Sequence, residues 1–391
     1  MRKLLNILAI LAMLTSMCCY INQPAFAALE AEGTEDTEEE VTEETESTEV
    51  EATESETEDT EETEKAIKNY EVVIDEMYAE SIYPSFVLYS MMDKSLRDEP
   101  TLHVCIQENA HVKVTIEENA LMEKCVYEHD MTDKDEQVYS IAIKWKRDGL
   151  LNAEQPGFIN FTAIVEVDGQ VKNRFNKTLE YRSVNEAVLG MQDEDGYNDF
   201  SPLFACFVNE TNPEVDETLG EILEENEGKS FFGYQGSTEE DVLSQLRMVW
   251  NFFSSKGTHY SSISGTTNNS QKIFTQHVRF FGEVVNSNQA NCIDGTCMLA
   301  SLLKKIELDV SIVLVPGHAF LAVGGQERDE EGEHAQTYFI ETTMMGSGAS
   351  LEDAIKEASE TFKKNVEEHE AETFMVNIAQ CRQLGIMPIG K

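Results

Sequence analysis

Between Asn291 and Glu341 the chain spells out one helix and three strands. Asn291 suits a helix N-cap, and Asp294 three residues on completes a variant of the capping box. Met298, Leu299, Leu302, Leu303 and Ile306 then recur at helical intervals, which predicts a helix from about Cys292 to Ile306. Val310 to Val315 is a run rich in β-branched residues that ends at the turn pair Pro316-Gly317. His318 opens the next strand, Ala319 to Val323, and after a charged loop Thr337 to Glu341 returns as a third. A helix followed by an antiparallel meander is therefore expected. Glu307 stands where glycine is the easier residue after a helix, at a cost of up to about 1 kcal/mol if the position is left-handed.

This run places one thiol, one imidazole and one carboxylate at the edges of regular elements. Cys292 falls in the first turn of its helix, where unpaired N–H groups and the helix dipole favour an anion. Thiol catalysis needs a thiolate nucleophile, an imidazole to generate it and move the proton, and an acid to orient the imidazole. Each residue also has a plain structural reading. Cys292 can be a buried core thiol, His318 a satisfied turn histidine, and Glu341 a solvated or paired carboxylate. The three motifs in order favour the chemical reading for the set. Gln289, just upstream, and the amide N–H of Cys292 are candidate oxyanion donors. Arg279 reads as a structural ion pair, and Cys297, inside the helix, as a core residue. His103, His111, His129, His259, His334 and His369 form no cluster.

The text Cys-Ile-Asp-Gly-Thr (292–296), Pro-Gly-His-Ala-Phe (316–320) and Ile-Glu-Thr-Thr (340–343) resembles the transglutaminase-like superfamily. That papain-like thiol fold includes bacterial cysteine hydrolases, and the similarity is to a poorly characterised bacterial branch, over about Phe200 to Ile389. The resemblance implies a nucleophile at Cys292, a base at His318 and an orienting acid at Glu341. Phe320 fills the slot that usually holds an aromatic Trp, and Glu341 replaces Asp, its extra methylene moving the carboxylate. Neither metal nor organic cofactor is implied.

The first residues read as an export signal. Arg2 and Lys3 precede an apolar core from Leu4 to about Met17, and Ala25-Phe26-Ala27 fits a cleavage site, giving a leader over 1–27. Residues 28–65 are almost wholly Glu, Thr, Ser and Ala, with 19 acidic residues between Glu30 and Glu64. Such a stretch has too little apolar surface to offset its ordering entropy and is expected to be a disordered acidic linker. The whole chain carries a formal charge of -45, and taking off +2 for the leader and -18 for 28–65 leaves -29. Nucleic acid is excluded as a partner, because phosphate binding requires a basic face. No segment after the leader looks membrane-spanning.

Six cysteines remain outside the leader: Cys105, Cys125, Cys206, Cys292, Cys297 and Cys381. Their spacing matches no zinc site. A Cys105–Cys125 disulfide is open to the chain if their strands are neighbours, whereas Cys292 and Cys297 in one helix do not reach disulfide geometry. Exported thiols meet oxidants, which weighs against an enzyme unless its surroundings are reducing.

Two domains are expected after the linker. Residues 66–182 carry strand-like runs at Phe86–Met92, Thr101–Ile106, His111–Ile116, Val138–Trp145, Gly157–Val167 and Val171–Tyr181, which predict an antiparallel β-sandwich. Trp145 reads as a core anchor there. Residues 183–391 predict an α+β domain, with helices capped by Thr238 and Ser350 and a late strand at Phe374–Ile378. The leading function is an exported cysteine enzyme performing acyl transfer or hydrolysis at a carboxamide or peptide bond of a protein or peptide substrate. The alternative is a non-catalytic cell-envelope binding or adhesion protein that keeps the fold and has lost the reaction.

Overall fold

The computed structural model describes residues 68–390 apart from 80, 93–95, 97, 98, 133–137, 194, 195, 263–269, 271 and 331. The leader and the acidic segment expected over 1–65 lie outside the described residues. The architecture is α+β, with helices packed among several small sheets.

The sheet that carries the reactive residues explains the continuous apolar run in the sequence. Its order is Thr337–Ile340, His318–Gly324, Val310–Val315, Phe374–Asn377, all antiparallel. Every residue of Val310–Val315 is buried, because the sheet is covered on both faces. Ile312 and Leu314, with Leu321 and Val323, join the main core alongside the helix Cys292–Lys305. Val313, Val315, Phe320 and Ala322 instead form a second cluster with Ala358 and Phe362 of the helix Leu351–Glu368. The two-residue period of a strand separates these sets. Val315 pairs with His318 across Pro316-Gly317, and Gly317 takes φ 69°, the left-handed value that the second corner of such a turn requires.

Upstream, Gly157–Val167 and Gln170–Tyr181 form a long hairpin inside a five-stranded sheet with Ala110–Ile116, Cys125–Met131 and the short strand Ser81–Ile82, which adds in parallel. A three-stranded sheet joins Val72–Ile74, Leu102–Cys105 and Val138–Ile141. A third small sheet orders Gly196–Asp199, Glu186–Asp193 and Ile273–His277. Trp145 is 8% exposed and packs on Tyr78. One buried apolar cluster runs from Val72 to Ile389, with Phe86 against Phe200 at 5.1 Å and the Arg147 guanidinium donating to the Ile389 carbonyl at 3.2 Å.

Two expectations are corrected. Phe86–Met92 is not a strand but most of a helix, Pro84–Met92, whose residues 84 to 90 are all buried. A helix hidden on every side has no polar stripe, so its apolar run mimics a buried strand. Cys105 and Cys125 lie on different sheets, and no disulfide joins them.

Candidate active site

The helix Cys292–Lys305 starts where the sequence places it because its cap is built on both sides. Asn291 Oδ1 accepts from the Asp294 N–H at 2.8 Å, and Asp294 Oδ2 accepts from the Asn291 N–H at 3.0 Å. Just before it, Asn288 closes the helix Phe281–Ser287 at φ 52°, a left-handed position asparagine tolerates. Gln289–Ala290 then pairs in parallel with His259–Tyr260 and delivers the chain to Asn291. Cys292 is thus the first helical residue, partly buried, and its own amide lies outside the intrahelical ladder.

The Cys292 carbonyl is held from two directions. Thr296 Oγ1 donates to it at 2.7 Å from the next turn, and Thr342 Oγ1 donates at 3.1 Å from the end of the meander. Gly295 allows that approach: a Cβ there would stand 3.2 Å from the Thr342 hydroxyl and 3.1 Å from the Met345 methyl.

His318 opens its strand beside this helix start. Its Nε2 lies 2.6 Å from Glu341 Oε2, which leaves Nδ1 as the ring nitrogen to serve the Cys292 thiol. Burial pulls the imidazole pKa down, but hydrogen bonds with Cys292 and Glu341, together with their charges, outweigh it and raise the pKa to about 10. Glu341 caps a short 3₁₀ turn, Thr342–Met344, just past the third strand. Its Oε1 accepts from the Thr343 N–H at 3.0 Å and hydroxyl at 2.6 Å. Burial pushes its carboxyl up, yet the His318 hydrogen bond and charge and the Thr343 donors outweigh that and hold it below the ordinary value.

The structure therefore brings Cys292, His318 and Glu341 together. Gln289 lies on the neighbouring two-residue strand with its side chain exposed, and among the described residues no hydrogen bond links it to the three. Arg279 pairs with Asp294 at 2.6 Å, so it is engaged inside the fold. Cys297 is 1% exposed.

Three site residues escaped the sequence reading. Thr342 and Thr343 follow Glu341 directly, and their hydroxyls hold respectively the Cys292 carbonyl and the acid itself. Tyr260 is 53% exposed on the strand beside Ala290. Its hydroxyl pKa is raised by partial burial and then by the charges of Cys292, Glu341 and Asp294. A threonine pair after an acid is a readable signal, whereas Tyr260 is 32 positions from the cysteine and joins it only through the parallel pairing.

A protonated imidazole between a sulfur and a carboxylate can stabilise a thiolate and then deliver its proton to a departing group. Among the described residues no group of three or more His, Cys, Asp or Glu side chains is placed to hold a metal ion. No helix among them is long and apolar enough to cross a membrane. No protein-family model and no curated protein matches the chain.

Proposed function

We propose that this chain is a cysteine acyltransferase or hydrolase of transglutaminase-like type, acting on a carboxamide or peptide carbonyl through Cys292, His318 and Glu341. The observation that carries the reading is a single imidazole 2.6 Å from the Glu341 carboxylate, its pKa raised by the Cys292 thiol as well as by that carboxylate. The helix-then-meander of residues 292–340 supports the same family resemblance, with a β-sandwich over 66–182 as its companion domain and export directed by residues 1–27.

In the first half-reaction the Cys292 thiolate attacks the carbonyl carbon, and the electron pair of the C=O moves onto oxygen. The Cys292 amide N–H at the helix start and Gln289 are the candidate donors to that oxygen. Collapse breaks the C–N bond as His318 gives its proton to the departing ammonia or amine, leaving a thioester. Water or a lysine amine then attacks the thioester carbonyl while His318 takes its proton, and the thiolate returns. Glu341 keeps the imidazole oriented and balances its positive charge throughout.

Incubating the protein with a glutamine-containing peptide and a primary amine tests this. Ammonia release, with a peptide mass change for hydrolysis (+1) or amine incorporation, and with loss of both in Cys292→Ala, is the expected result. If neither product forms from a panel of glutamine and asparagine peptides and no acyl adduct accumulates on Cys292, the non-catalytic envelope reading replaces this one.

A further inference from the structure

Behind the helix start lies a buried ion pair that the proposed chemistry does not itself use. Asp294 has no exposed surface, and the Arg279 side chain is 17% exposed. Asp294 Oδ1 accepts from the Arg279 backbone N–H at 2.7 Å. Its Oδ2 accepts from Arg279 Nη1 at 2.6 Å as well as from the Asn291 amide. A capping box needs only the N-cap amide as donor to its acid. The two Arg279 donors are additional, and they fasten the segment before the helix Phe281–Ser287 to the first turn of Cys292–Lys305.

The same carboxylate creates an electrostatic problem. A negative charge two residues from Cys292 opposes a second negative charge on the sulfur. The reach of its field is visible in its upward push on the Cys297 thiol, after burial, and on the Tyr260 hydroxyl, after burial and the nearer charges. Arg279 sets a positive charge directly against it. His277, on the strand that leads into Arg279, sits in the field of both, with Glu283 and Glu186 beyond.

We infer that Arg279 is a positioning residue for Cys292, fixing the helix start through Asp294 and cancelling the carboxylate's charge so that the thiol ionises beside His318. This rests on the proposed triad. The pair keeps the hydrogen bonding of an acidic cap while a positive charge opposes its field.

The test is the pH profile of Cys292 alkylation by iodoacetamide in the full chain, with peptide mapping and a melting curve for each variant. Arg279→Met is expected to move the half-maximal rate up by about one pH unit and to slow alkylation near neutrality about tenfold. Arg279→Lys restores most of the wild-type profile even where its melting temperature is lower. Asp294→Asn, which removes the offending charge and leaves the Arg279 cation, moves the profile below the wild-type pH while lowering the melting temperature. If Arg279→Met fails to fold, the opposite directions expected for pH profile and stability in Asp294→Asn still decide. An Arg279→Met protein that melts earlier but keeps the wild-type profile, or an Asp294→Asn profile that does not move down, overturns the inference. A wild-type profile indifferent to His318→Ala instead removes the triad reading beneath it.

Discussion

At the scale of single residues the account rests on His318 and what flanks it. Its pKa is raised to about 10 from an ordinary 6.5, while that of Glu341 is lowered from 4.5. A raised histidine contributes stability that is fully present below about pH 6.5 and fades as pH climbs through about 10. A lowered carboxylate contributes above about pH 4.5 and loses its contribution on further acidification. The site's ionic contribution is therefore complete between those limits and declines on either side. An NMR titration of the His318 ring in Glu341→Gln should show its pKa falling toward the ordinary value; an unchanged titration contradicts the assignment. Glu341→Asp should act in the same direction, because one methylene less withdraws the oxygen from a 2.6 Å contact. The glutamate succeeds here because it sits one residue past the strand end, where the following turn and Thr343 swing it back to the ring.

At the scale of elements, caps decide where reactive groups stand. Asn291→Ala removes the side-chain acceptor for the Asp294 amide and should cost about 1 kcal/mol in urea unfolding. Glu307 sits exposed at φ 67°, so Glu307→Gly should stabilise by about 1 kcal/mol, read by the same measurement; a loss of stability contradicts the backbone argument. These ends were legible in the sequence because capping is local chemistry. The predicted caps at Asn291, Thr238 and Ser350 and the strand Gly157–Val167 all stand where the residues put them. The helix Pro84–Met92 was not legible, since burial on all sides erases the periodicity that marks a helix. Nor was the service of Thr342, Thr343 and Tyr260 to the site, because their partners are set by convergence of distant segments. The order thiol, imidazole, acid was readable; that the ring meets the acid at 2.6 Å required the fold.

At the scale of the whole molecule, the last residues are tied back to the segment that opens the second half of the chain. Arg382 forms a two-pronged ion pair with Glu210, both contacts at 2.9 Å, and donates to the Ala205, Val208 and Ile386 carbonyls. With its side chain 13% exposed, Arg382→Met leaves Glu210 and three carbonyls short of donors and should destabilise by about 3 kcal/mol. Urea unfolding checks this, and a change below about 0.5 kcal/mol, the size of an ordinary surface substitution, contradicts it. Export is checked by intact mass of the mature protein, expected to lack residues 1–27. That His318 activates Cys292 is tested by the rate of iodoacetamide labelling at Cys292 in wild type and His318→Ala near pH 7. The rate is expected to be at least about tenfold slower in the variant at unchanged melting temperature. Equal rates in two folded proteins would contradict it.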